Sequence, residues 1–532
     1  MRRWNGWGDD SFVHPLPETA LPRLIEWVGP AQPPRDARLD QVITAVPKAR
    51  LPNHLLITTD REERVRHASG DSLPDWVAKR MGRIGAFPDG VAYPETEDDI
   101  RALFDYARRA GAKIIPYGGG TSVVGHINPT TGDDPILTVD MSRMNQMSNL
   151  DETSRLATFG AGASGPYIEA ALRAQGYTLG HFPQSFEYST LGGWIATRSS
   201  GQQSLRYGRI EQHFRGGRLI APAGVLEMAP YPASAAGPDL RQLVLGSEGR
   251  MGIITQATVR VHPLPEYENF HAVFFHHWDE GIEAVRAIVQ AKLPLSMLRL
   301  SNEAETETTL VLAGHERLVN FAHWGLGTAG YPRFEKCMLL FGATGDAATV
   351  RHARRGALHI ARQHGGFHTG QYMGEQWRKS RFRTPYLRNT LWETGYAIDT
   401  LETIVPWADV PAASQAIIEA LQHALDGAEE RVHVFAHLSH LYETGASIYV
   451  TYVFRALPDP DQMLEVWGRL KRAASQAIVA QGGTISHQHG VGVDHAPYLD
   501  AEKGPFGMIL IRDVIAACDP DGLLNPGKLL IL

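Results

Sequence analysis

The chain has 532 residues, too many for one hydrophobic core, so two or more domains are expected. Its 43% hydrophobic and 20% charged residues are those of an ordinary globular protein, and a net charge of −7 argues against a nucleic-acid partner. Two cysteines, Cys337 and Cys518, exclude a disulfide framework and fit a reducing cytosol, and no apolar run is long enough to span a bilayer.

The opening Trp4-Asn5-Gly6-Trp7-Gly8 lacks the apolar run of a signal peptide. Short helices are expected at Glu18 to Val28 and Asp40 to Ala45, with an exposed connector at Pro30 to Pro34. The arginines of Arg61 to Arg66 are expected on a solvated face. Thr96, with Asp99 three residues on, marks the start of a helix carrying Ile100, Leu103, Phe104 and Ala107 on one side and stopping at Gly111. Strands follow at Lys113 to Ile115, Ile136 to Val139 and Leu156 to Phe159, then a helix opened by Gly165-Pro166.

The first of these strands runs into Pro116-Tyr117-Gly118-Gly119-Gly120-Thr121-Ser122. Three glycines reach backbone angles closed to other residues, and such a turn can aim several N–H groups into one concavity. An anion, such as a cofactor pyrophosphate, would be held there without a lysine. A plain tight turn is the alternative. A second unusual segment is Gln184-Ser185-Phe186-Glu187-Tyr188-Ser189-Thr190, continuing through Gly192-Gly193-Trp194-Ile195 to Thr197-Arg198-Ser199-Ser200. Crowded hydroxyls and paired glycines suit a loop and helix start lying along a polar cofactor. Trp194 and Ile195 seek burial, which disfavours a surface loop. A third, Glu248-Gly249-Arg250-Met251-Gly252-Ile253-Ile254, turns sharply into a strand, and its glycines permit close backbone approach to a flat ligand.

These three segments, in this order, resemble the flavin-binding domain of the vanillyl-alcohol oxidase (PCMH-type) superfamily. Within it the chain most resembles the alkyldihydroxyacetonephosphate synthase family of ether-lipid synthesis. The resemblance implies an α+β protein: an N-terminal segment (1–82), a two-subdomain FAD-binding domain (83–265), an α+β cap on an antiparallel sheet (266–480) and a C-terminal return to the flavin (481–532). It also implies FAD contacts from Pro116 to Ser122, Gln184 to Thr190, Thr197 to Ser200 and Glu248 to Ile254. Gln184 stands where relatives carry an acidic residue, and Arg250 where they carry a small one. No histidine lies in the glycine turn, where some relatives attach flavin covalently, so dissociable FAD is expected.

Beyond Pro265 the cap pattern is strands at Ala272 to Phe275, Ser296 to Leu300, Lys336 to Phe341, Leu401 to Val405, Val432 to Leu438 and Ala446 to Tyr452. Helices are expected at Gly281 to Ala291, Ala347 to Gln363, Val410 to Leu425 and Pro460 to Ala480. The strongest polar constellation is Ser486-His487-Gln488-His489-Gly490, where two imidazoles can carry protons near neutral pH. Two histidines satisfied within a turn are the alternative, and two ligands fall short of a zinc set. The synthases have three consecutive histidines here, and Gln488 cannot carry a proton.

Tyr442 matches the family's proton donor and acceptor, although a tyrosine is a poor base unless cations lie nearby. Arg388 matches the arginine that holds the acyl carboxylate, its fork suited to paired hydrogen bonds. Arg299 corresponds to a family arginine near the flavin, and His181 to a polar contact near the ring. The implied reaction replaces the acyl group of acyl-dihydroxyacetone phosphate by a fatty alcohol through a flavin N5 adduct. The alternatives are an FAD-linked dehydrogenase or oxidase of a 2-hydroxy acid, and a flavoprotein without catalysis. The family implies a homodimer, the missing targeting extension and the few cysteines point to a cytoplasmic protein, and a lipid-like substrate would bring peripheral membrane contact.

Overall fold

The computed structural model describes residues 2–312 and 336–531. Helices Ala20–Val28, Leu39–Ala45, Arg61–Arg66 and Leu73–Met81 precede the main sheets, with β1 at Ile57–Thr58. The expected solvated face at Arg61–Arg66 is corrected. Arg64 is 1% exposed, and its guanidinium donates to the carbonyls of Pro88 and Pro47. Loop carbonyls that lack a ladder partner take the charge inside.

The strands β2 (Gly90–Ala92), β3 (Lys113–Tyr117) and β4 (Ile136–Asp140) form, with β1, a sheet ordered β1-β2-β4-β3. Its β2–β4 and β3–β4 pairs are parallel. The helix Glu97–Ala110 connects β2 to β3. Thr96 accepts from the Asp99 N–H, Gly111 closes the helix at φ 62°, and Ile100, Leu103, Phe104 and Ala107 are buried as their spacing predicts. Strands β5 (Met147–Asp151), β6 (Leu156–Gly160), β8 (Phe214–Ala221), β9 (Gly224–Met228) and β10 (Ile253–Arg260) make an antiparallel sheet ordered β5-β6-β10-β8-β9. Between them β7 (Tyr177–Thr178) pairs with β11 (His262–Pro263).

The third sheet has seven strands, all antiparallel: β12 (Tyr267–Phe275), β13 (Leu295–Ser301), β14 (Cys337–Gly345), β15 (Phe367–Gly370), β16 (Tyr396–Pro406), β17 (Val432–Leu441) and β18 (Gly445–Arg455). Their order is β15-β12-β14-β13-β17-β18-β16. Helices Trp278–Gln290, Ala347–Gln363, Val410–His423 and Pro460–Ala480 share one core with Leu298, Leu300, Leu401, Ala436, Leu438, Ile448 and Val450 of this sheet. Side chains alternate along a strand, so the intervening residues face the other way. Those are Arg299, Glu402, His437 and Tyr449. The register sets Glu402 beside Tyr449, and Tyr449 beside His437.

The α+β architecture and its antiparallel cap sheet are as expected. Among the described residues, helices without a counterpart in the sequence expectations include Leu73–Met81, Glu303–Leu312, Tyr372–Ser380, Thr384–Glu393 and Leu499–Cys518. After the last of these the chain returns, and Leu524 bridges to Ile114 on β3.

Candidate active site

A cavity of about 320 Å³ lies where the three motifs meet. Pro116 to Ser122 form one wall, and Gln184, Ser185, Ser189, Thr190, Thr197, Ser199 and Ser200 a second. Glu248, Gly249, Gly252, Ile253 and Ile254 form a third. Close packing explains the glycines. A Cβ on Gly118 would strike the Thr190 hydroxyl, one on Gly119 the Tyr188 carbonyl, and Gly120 sits at φ 68° against the Tyr117 hydroxyl. Thr190 caps the helix Leu191–Ala196, while Trp194 and Ile195 are buried, so the hydroxyl-rich stretch is no surface loop.

Other motif residues serve the walls from behind and do not line the cavity. Glu187 accepts from the Tyr386 hydroxyl, Tyr188 lies under the Arg2 guanidinium, and Phe186 stacks on Phe382. Arg198 donates to the carbonyls of Leu245 and Gln242. Arg250 donates to the Leu524 carbonyl, and Met251 packs with Leu499 and Leu529. Within the cradle, Ser122 Oγ accepts from the His126 N–H and lies 2.8 Å from His126 Nδ1. Glu248 accepts from the N–H groups of Val491 and Gly492, clamping the C-terminal stretch to the cavity.

Several buried polar atoms of lining residues have no protein partner: Trp7 Nε1, Trp76 Nε1, Ser247 Oγ, Asn525 Oδ1, and Nε and Nη2 of Arg388. Buried polar groups are rarely left unpaired, and so many around one cavity fit a polar ligand. The hydroxyl-lined, close-approach cradle, with no lysine among the lining residues, fits a dinucleotide cofactor such as FAD.

Arg388, on the helix Thr384–Glu393, lines the opposite side. Nη1 donates to the Asp71 carbonyl at 2.5 Å and the guanidinium lies 4.4 Å from the Trp76 ring centre. Thr400, Tyr449, Gln488 and His489 line the same side. Behind them stands Glu402, fully buried. Its Oε1 accepts from the N–H groups of Gln488 (2.6 Å) and His489 (2.8 Å). The same oxygen lies 3.4 Å from His489 Nδ1, and Oε2 lies 3.8 Å from His487 Nδ1. Burial alone would raise the Glu402 pKa; His489, His487 and the Gln488 N–H outweigh it and hold the carboxyl well below its usual range. Burial pushes His487 and His489 down, against Glu402.

His487 Nε2 lies 2.7 Å from the Tyr442 hydroxyl. Burial raises the Tyr442 pKa and Arg209 opposes it, donating from Nη1 to the hydroxyl at 3.3 Å and from Nη2 to the His487 carbonyl. Neither Tyr442 nor His487 lines the cavity. Arg299 does not line it either; it bonds Glu305 and His437, and His437 stacks on Tyr449. His181 lies 3.2 Å from the Ser199 hydroxyl.

Glu402, Arg209, Tyr449 and His126 were not foreseen as site residues. The one local signal was an acidic side chain, Glu402, inside the expected strand Leu401 to Val405. Arg209 carried none.

Residues 264–529, half of the chain, match the family model described as FAD linked oxidases, C-terminal domain, and residues 88–229 match one described as FAD binding domain. The alkyldihydroxyacetonephosphate synthase of Dictyostelium discoideum is 28% identical, over 99% of this chain and 93% of its own. That of Trypanosoma brucei brucei is 28% identical over 89% and 78%. A solved alkyldihydroxyacetonephosphate synthase structure superposes with a TM-score of 0.85 at 26% identity, covering 99% of both chains.

Proposed function

Because the chain belongs to the FAD-linked oxidase family, we propose that it holds dissociable FAD in the cavity and exchanges the acyl group of acyl-dihydroxyacetone phosphate for a fatty alcohol. The chain is then an FAD enzyme of ether-lipid synthesis, with the cofactor unit at 83–265, the cap at 266–480 and the C-terminal return at 481–532.

The Pro116 to Ser122 cradle would hold the pyrophosphate through backbone N–H groups, and the Ser185 to Ser200 and Glu248 to Ile254 walls would hold the ring and its linker. Bound FAD would supply an electrophilic ring that can hold the substrate carbon while one oxygen substituent replaces another. The protein does the rest. Arg388 lines the cavity, and its buried Nε and Nη2 have no protein partner, which matches a fork to the carboxylate that departs. At pH 7 burial leaves His487 neutral and Tyr442 protonated, so the phenol donates to His487 Nε2 and Arg209 stabilises the phenolate when that proton moves. His489 and Gln488 border the cavity and can donate to phosphate or oxyanion oxygens.

The observation that carries this proposal is the 2.7 Å Tyr442–His487 bond, backed by Glu402 and Arg209, beside a cavity containing a half-satisfied arginine. The test supplies purified yellow protein with acyl-dihydroxyacetone phosphate and an isotopically labelled long-chain alcohol. Labelled ether product is expected, with the flavin still oxidised. Anaerobic bleaching by D-lactate or D-2-hydroxyglutarate, without ether formation, would refute the exchange in favour of hydroxy-acid oxidation.

A further inference from the structure

A second hydroxyl–imidazole pair stands between the cavity and the first. Ser200 lines the cavity, and its hydroxyl oxygen lies 3.0 Å from His440 Nδ1. The His440 ring centre lies 5.2 Å from that of His487, with the planes 31° apart. His440 occupies a register shift of β17 between Ser439 and Leu441, at a φ of 54°. Bulges re-aim side chains, and left-handed backbone at a non-glycine residue is retained where something over-determines it. Here the bulge turns an imidazole onto a hydroxyl of the cofactor wall. Tyr442 and His487, by contrast, have no place on that wall.

Resting on the exchange proposed above, we infer that Ser200 and His440 form the base that takes the hydroxyl proton of the incoming alcohol. The alcohol O–H bond breaks and its proton goes to Ser200 Oγ, while the Ser200 proton passes to His440 Nδ1. The electron pair left on the alcohol oxygen makes the new C–O bond, and the acyl carboxylate departs with the pair of the bond that breaks. No electrons enter or leave. This assigns the Nε2–H tautomer to resting His440. Burial first, then His487, Arg209 and His437, hold the His440 pKa well below its ordinary value and Glu402 alone opposes them, so the imidazolium is transient and its proton passes on to solvent.

His440→Asn is the decisive variant. Asparagine tolerates the left-handed backbone and places an acceptor oxygen near the Nδ1 position, but cannot take the proton. FAD affinity, read by flavin fluorescence quenching on the apoprotein, is expected to stay within about threefold, and kcat to fall at least about 100-fold with little change in KM for the alcohol. The deficit relative to the unsubstituted protein should shrink with a 2,2-difluoro alcohol, whose lower pKa demands less of a base. Ser200→Ala should show the same dependence on alcohol acidity. An equal deficit with both alcohols, undiminished kcat, or loss of FAD binding in both variants would overturn the inference while leaving the exchange intact. Ether product absent from the unsubstituted protein would overturn both.

Discussion

Replacing Glu402 by glutamine tests the polar cluster at its centre. Both backbone N–H groups that reach this carboxylate bond the same oxygen, Oε1. A glutamine carbonyl can take that place and keep both. Its NH2 then falls where Oε2 was, 3.8 Å from His487 Nδ1 in the carboxylate form. An N–H facing Nδ1 makes that nitrogen an acceptor and moves the ring proton to Nε2, toward Tyr442. His487 can no longer receive the phenol proton, and the charge that would stabilise its cation is gone. A triad imidazole locked in the wrong tautomer loses about 10⁴ in kcat. At this longer separation we expect about 10² to 10⁴, or roughly 3–5 kcal/mol of barrier. Stability should fall less than in a variant that cannot accept at all: the contribution of a carboxylate held below its usual range is lost, but both backbone N–H groups keep an acceptor. Glu402→Leu supplies the contrast: it orphans two buried N–H groups at about 1–3 kcal/mol each. Thermal melts, FAD titration and turnover on the three proteins check this. A Glu402→Gln protein with full kcat, or one as unstable as Glu402→Leu, would refute the tautomer argument.

Gly119→Ala drives a Cβ into the Tyr188 carbonyl, a clash of backbone on backbone, so the cradle must part from the second wall. Overpacking of about 1–3 kcal/mol predicts roughly 5- to 150-fold weaker FAD binding, whereas Gly224→Ala, with open space around it, should bind normally; equal fluorescence titrations would contradict this. Arg388→Lys loses the fork whose Nε and Nη2 await a partner, and KM for the acylated substrate should rise roughly 10- to 150-fold, about 1.5–3 kcal/mol, with FAD affinity unchanged. An unchanged KM would remove Arg388 from substrate binding. Burial pushes His213 to about 3, His262 to about 4 and His495 to about 3, from 6.5. Below pH 6.5 the unfolded chain gains protons the folded chain refuses, so stability is full above that pH and declines toward pH 4. Urea midpoints should drop steadily between pH 7 and 5; a flat profile would contradict the neutral burial of these rings.

What could be read from the sequence was chemistry that is local in the chain. Three consecutive glycines can mean only backbone angles or close approach, and both occur: φ 68° at Gly120, and contact with Tyr188 and Thr190 at Gly119 and Gly118. Thr96 with Asp99 fixed a helix start, and the 3.6-residue apolar spacing fixed its buried face. Arg64 was misplaced because its neighbours are polar and its partners, the carbonyls of Pro47 and Pro88, lie 17 and 24 residues away. The helix bearing Arg388 escaped notice among basic residues, having a weak apolar stripe and no side-chain cap.

The polar cluster was illegible for a deeper reason. Glu402, Tyr449 and His437 become neighbours only through the register of β16, β18 and β17, and a shift of one residue would bury all three among helices. That register also explains how Gln488 is accommodated. Glu402 binds the backbone N–H of residue 488, not its side chain, so an amide can replace an imidazole there without loosening the loop that carries His487 and His489. On the proposed reading, the cofactor side would hold its ligand with peptide groups, hydroxyls and absent Cβ atoms. The cap supplies Glu402 and Tyr442, while the imidazoles that face Glu402 come from the C-terminal return and the guanidinium of Arg209 that faces the phenol comes from the cofactor unit. Proton transfer as proposed is thus assembled across the cap, the C-terminal return and the cofactor unit, through Ser200 and Arg209, so each variant is read by FAD binding and turnover together.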